Sequence, residues 1–125
     1  MIELDKAKEI IKARLSPQRY IHSCNVADEA RKLAAKFQVN ENEASLAGLM
    51  HDYAKGLSGE MLINIAQENN LIKDDIEFLI PDILHASVGA FLLKSEGIIA
   101  NENILNAIAR HTLGDINMTE LDKII

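Results

Sequence analysis

The chain has 125 residues, 48% apolar and 26% charged, enough for one hydrophobic core, too short for two, and too apolar for disorder. A net charge of −6 argues against general nucleic-acid binding, which needs a basic face, but leaves room for a small phosphorylated ligand held by local cations or a metal. A single cysteine, Cys24, excludes an internal disulfide, and no signal-like or membrane-length apolar run stands in the sequence, so a cytoplasmic protein without a membrane partner is expected.

With two prolines, three Phe and no Trp, a β-sandwich is disfavoured, and the apolar spacing is helical throughout. The expected fold is therefore all-α, a compact bundle of about six to seven helices forming one domain over residues 1–125. The first helix is predicted from Ile2 to Leu15, with Leu4, Ala7, Ile11 and Leu15 on one face. Ser16-Pro17 restarts the chain as cap and first helical residue, opening a second helix that runs to Phe37. A third spans about Asn42 to Ala54 and is stopped by Gly56. Ser58 caps a fourth, which ends near Asn69-Asn70. A short turn follows over Asp74 to Leu79, then a helix from Pro81 to Glu96-Gly97. Asn101 or Asn103 opens the next, which ends before Gly114, and Met118 to Ile125 begins one more.

The four histidines fall on these helices in a consistent way. His22 is in register with Val26, Ala30, Leu33 and Phe37; His51 follows Ala44, Ala47 and Gly48. His85 is in register with Val88, Gly89 and Leu92, and His111 follows Ile104, Ala107 and Ile108. One imidazole on an apolar stripe is ordinarily a hydrogen-bonded core residue. Four in one small domain need partners in common, and a cation or a phosphate is the simplest. The adjacent pair His51-Asp52 adds weight. Consecutive helical side chains diverge by about 100°, so both reach one ligand only if it lies between them, as at a helix end.

The segments Arg19-Tyr20-Ile21-His22 and Leu46-Ala47-Gly48-Leu49-Met50-His51-Asp52-Tyr53-Ala54-Lys55 resemble those of the HD-domain metal phosphohydrolases. Leu84-His85-Ala86-Ser87-Val88-Gly89-Ala90 and Ile108-Ala109-Arg110-His111-Thr112 are similar to the bacterial branch that splits diadenosine tetraphosphate symmetrically into two ADP. The resemblance covers about Ser16 to Ile125. It implies His22, His51 and Asp52 as metal ligands, and one or two divalent transition ions, iron with manganese or zinc as alternatives. It places His85, His111 and Thr112 at either a second metal or the nucleotide phosphates, and both roles stay open. Asp52 and Lys55 are the implied catalytic groups. Arg19, Lys55 and Arg110 are candidates for substrate phosphate, although surface ion pairing explains Arg19 and Arg110 equally well.

Two departures from the family pattern stand out. Gly114-Asp115 puts an acid where a basic residue is usual. The family also continues past Asp122-Lys123-Ile124-Ile125 to an Ala-Asp whose carboxylate closes the metal site, so this chain is expected to be short at its C-terminus, with an uncovered apolar edge that favours self-association as a homodimer. No P-loop, catalytic-cysteine context or calcium-loop spacing competes. Cys24 is read as a buried structural thiol. Two alternatives to the hydrolase remain: a metal- and nucleotide-binding module with weak or no turnover, and a structural helical interaction protein with satisfied core histidines.

Overall fold

The structure, a computed structural model, describes residues 1–111 and 119–125. The described residues form α-helices and one 3₁₀ turn, with no strand: α1 (Leu4–Arg14), α2 (Pro17–Phe37), α3 (Glu41–Met50), α4 (Gly59–Glu68), α5 (Ile76–Leu79), the 3₁₀ turn Pro81–Leu84, α6 (His85–Ser95), α7 (Glu102–Arg110) and α8 (Glu120–Ile124). The all-α expectation holds, and six of these helices are longer than one or two turns. Thr112, Gly114-Asp115 and Met118 lie outside the described residues.

Short polar side chains start the helices where their backbone N–H groups would otherwise lack acceptors. Ser16 accepts from Arg19 N ahead of Pro17, Asn40 from Glu43 N, and Ser58 from Met61 N. Asn101 accepts from both Asn103 N and Ile104 N, and Thr119 forms a capping box with Asp122. Gln38, not a glycine, takes the left-handed conformation that ends α2, at φ 60°.

Four expectations require correction. The third helix ends at Met50, and residues 51–56 form consecutive turns, so His51 and Asp52 sit just past a helix end. Pro81 opens a 3₁₀ turn, and the α-helix begins only at His85. The third concerns α2, whose buried face is Ser23, Ala27, Ala30 and Ala34. Leu33 and Phe37 are exposed, so the stripe through His22 does not face inward as its apolar spacing suggests. The small side chains of the true inner face let α2 lie close against α3, whose residues from Ala44 to Met50 are all buried. The core includes Ile11, Leu49, Met50, Leu93, Ile104 and Ile108, and a smaller cluster joins Ala54, Leu62, Leu84 and Val88 on the α4 side. Cys24 is half-buried and packs against the larger cluster, so it is less enclosed than expected.

Tyr53 ties the turn after α3 to two other elements. Arg14 stacks on its ring, 3.9 Å from the centroid, and donates from Nε to its carbonyl oxygen at 2.7 Å. The Tyr53 hydroxyl donates to Glu96 at 3.0 Å. Burial and that carboxylate push the phenol up to about 12, so it remains a donor at any physiological pH. The turn carrying His51 and Asp52 is thus clamped between the ends of α1 and α6. Among the described residues no helix is long and apolar enough to cross a membrane.

Candidate metal centre

His22 from α2, His51 and Asp52 from the end of α3, His85 from the start of α6 and His111 from the end of α7 converge on one spot. The Asp52 carboxylate is at its middle. Its Oδ2 lies 3.9 Å from His22 Nε2, and its Oδ1 lies 3.3 Å from His51 Nε2 and 3.4 Å from His85 Nε2. His85 Nε2 and His111 Nε2 are 3.0 Å apart. The rings pack edge to face, with centroids 4.9 Å apart for His85 and His111 and 5.2 Å for His51 and His111. Asp52, His51 and His85 are buried, whereas the His22 side chain is 58% exposed and forms the outer rim.

Backbone geometry fixes which nitrogens face the centre. His51 Nδ1 is 2.6 Å from Gly48 O, His85 Nδ1 is 2.6 Å from Asp82 O, and His111 Nδ1 is 2.6 Å from Ile108 O. A carbonyl oxygen can only accept, so each Nδ1 carries a proton and each neutral ring presents a bare Nε2 lone pair to the centre. Three such lone pairs and a carboxylate then face one another within a few ångströms without a proton donor among them. That donor set is what a borderline transition ion takes, nitrogen and carboxylate oxygen with the ring tautomers fixed from behind. Among the described residues two triads satisfy it, His22–His51–Asp52 and Asp52–His85–His111, each with ligand atoms within 4.8 Å of one another, and Asp52 belongs to both. The residues present therefore fit a divalent metal.

The protonation equilibria agree. Burial lowers the pKa of His51 and brings that of His111 down to about 4, so both rings are neutral near pH 7. Burial alone would raise Asp52, but once acid puts the second proton on the surrounding imidazoles, a hydrogen bond from His85 and the positive charge of His51, His85 and His111 outweigh it and hold the carboxyl at about 2. Asp52 is thus an anion throughout the physiological range.

The cationic candidates divide. Lys55, in the turn after Asp52, donates from Nζ to Asp82 Oδ2 at 2.5 Å, a contact that lowers the Asp82 pKa. Arg19 is exposed at the start of α2, within electrostatic reach of Asp82. Arg110, next to His111, donates from Nη1 to the fully buried Asp122 at 2.7 Å. Sequence reasoning assigned nothing to Asp82 or Asp122. Asp82 stands three residues before His85, the spacing of its carbonyl contact with the ring, but its tie to Lys55 spans 27 residues and leaves no local signal.

Residues 19–125 match the model of the HD domain family. The chain is 37% identical over 120 residues to a protein of Halalkalibacterium halodurans and 35% identical over 121 residues to one of Bacillus subtilis, both named bis(5'-nucleosyl)-tetraphosphatase, symmetrical. These matches cover 96% and 97% of this chain but 64% of each relative, so the chain spans less than two thirds of their length. A crystal structure described as a predicted HD superfamily hydrolase involved in NAD metabolism, from Clostridium acetobutylicum, superposes with a TM-score of 0.91 at 37% identity, over 99% of this chain and 66% of that one. The chain belongs to the HD domain family.

Proposed function

We propose that this HD domain is the hydrolytic centre of a metal-dependent phosphohydrolase, and that its substrate is diadenosine tetraphosphate, cleaved symmetrically into two ADP. The observation that carries the hydrolytic reading is the set of Nε2 lone pairs gathered around the Asp52 carboxylate, with the Nδ1 protons of His51, His85 and His111 committed to backbone. The substrate is supported by the names of the relatives alone.

His22, His51 and Asp52 would hold one divalent transition ion, with iron first and manganese or zinc as alternatives. His85 and His111, with Asp52 shared, would hold a second. The 3.0 Å separation of their Nε2 atoms favours this role over phosphate contact, because two lone pairs offer a phosphate oxygen no hydrogen. When bound, such an ion supplies Lewis-acid polarisation of a phosphoryl oxygen and acidifies water at neutral pH. The chain's own residues do the rest. Asp52, ionised at pH 7, accepts a hydrogen bond from the attacking water and orients it, but a carboxyl of pKa about 2 does not store the proton. Lys55 and Arg19 bring positive charge to the same mouth of the site and offset the phosphates, and the exposed edge at His22 gives the substrate access. Arg110, bonded to Asp122, contributes through the position of α7.

Symmetrical cleavage adds water across the central phosphoanhydride, so both halves leave as ADP. Chromatography of the products formed by metal-loaded protein tests this reading: two ADP are expected, and AMP with ATP would refute it. Metal-loaded protein that binds the nucleotide without releasing any product would mark the chain as a binding module.

A further inference from the structure

The ion pair between Lys55 and Asp82 has unlike ends. The Lys55 side chain is 21% exposed, and its backbone N–H is bonded to Asp52 O at 2.9 Å within the turn that carries the centre's carboxylate. The Asp82 side chain is 63% exposed. Apart from Lys55, its carboxylate has the exposed Arg19 within electrostatic reach and His85 Nδ1 4.0 Å away, whose proton is already given to the carbonyl oxygen of Asp82 itself. The lysine is therefore the fixed member and the carboxylate the exchangeable one. A residue that positioned Lys55 would itself be enclosed and held by further bonds; Asp82 can instead turn into water at small cost, because an ion pair this exposed is weak.

We propose that Asp82 is a built-in competitor for phosphate at Lys55: its carboxylate occupies the face of the ammonium that a substrate phosphate takes, and it is displaced when the phosphate arrives. The proposal rests on the reading of Lys55 as a phosphate contact. Displacement raises the dissociation constant of every anion that takes Lys55 by the same factor. Weakly held anions are then left unbound at ordinary concentrations, whereas a polyphosphate with additional contacts still binds. The same exchange helps a phosphate product to leave, because a carboxylate is at hand to replace it. The backbone carbonyl of residue 82, which fixes the His85 tautomer, is unaffected by the exchange.

Titration calorimetry of ADP into the full chain, loaded with manganese and kept in excess manganese at low ionic strength, tests this. Asp82→Asn should tighten ADP binding about two- to fivefold. Lys55→Gln should weaken it, and the double variant should bind as Lys55→Gln does. Weaker binding by Asp82→Asn would make Asp82 a positioning residue and overturn the proposal. A gain that persists in the Lys55→Gln background would also overturn it, since it would reflect removal of a charge with no exchange at Lys55. In both cases a weakened Lys55→Gln leaves the phosphate role of Lys55 standing, whereas an unchanged Lys55→Gln overturns that role and the proposal together.

Discussion

Gly48 lies so close to Ala27 that a Cβ placed on it would stand 3.1 Å from Ala27 Cα and 3.1 Å from the carbonyl oxygen of Val26. Both neighbours are helical backbone, which cannot yield without moving α2 against α3. The same glycine offers its carbonyl to His51 Nδ1, while α2 carries His22. One residue therefore sets both the spacing of the two helices and the orientation of a proposed ligand. Gly48→Ala is expected to cost about 1–3 kcal/mol by overpacking. It should also weaken metal retention, because His22 and His51 move apart. Thermal melts with and without manganese check both effects, and a variant as stable as the parent would contradict the close packing.

The depressed histidines make stability pH-dependent in a definite direction. In the unfolded chain His111 titrates near 6.5, in the folded chain near 4. Between those values the unfolded state binds more protons, so acidification favours unfolding across that window and no further below it. His51, lowered in the same direction by burial, adds to the slope. Asp52 contributes separately: its stabilisation is present above its ordinary 3.8 and is lost as pH falls toward about 2. Melting temperatures of chelator-treated protein should therefore drop from pH 6.5 to 4, and His111→Gln should make that drop shallower. A flat profile in the parent would mean that the rings are not buried as neutral groups.

Arg110 and Asp122 join α7 to α8 beneath the site. The Asp122 side chain is fully buried, accepts from Arg110 at 2.7 Å, and also accepts from Thr119 N at 3.0 Å as half of the capping box. Removing the arginine leaves the Asp122 carboxylate buried without its cation, at a cost of about 3–5 kcal/mol. Arg110→Ala should therefore lower the urea midpoint strongly, far more than a change in the exposed pair Lys94–Glu102, where about 0–1 kcal/mol is expected.

The helices and the histidine constellation were legible because both are local or periodic. Capping side chains such as Ser16 and Ser58 mark helix starts within four residues, and imidazoles at the ends of apolar runs stand out against otherwise ordinary faces. The inner face of α2 was misread for a physical reason. Apolar periodicity weights large side chains and so turns Leu33 and Phe37 inward, whereas close helix packing selects the small Ser23, Ala27, Ala30 and Ala34. The end of α3 at Met50 was also hidden, since Gly56 is the first residue that plainly breaks a helix. Asp82 and Asp122 acquire their partners only through tertiary structure, and nothing in their neighbours announces it.

In the proposed function Asp52 is the shared carboxylate of a metal centre built from His22, His51, His85 and His111. Elemental analysis of protein purified without oxygen tests it most directly, comparing the parent with Asp52→Ala and His111→Ala and using circular dichroism to confirm that each variant keeps its helices. The parent should carry iron or another divalent transition ion. His111→Ala should keep the ion held by His22, His51 and Asp52, and Asp52→Ala should lose metal altogether. A parent without metal after reconstitution with iron or manganese, or an Asp52→Ala variant with the parent's full content, would contradict the account.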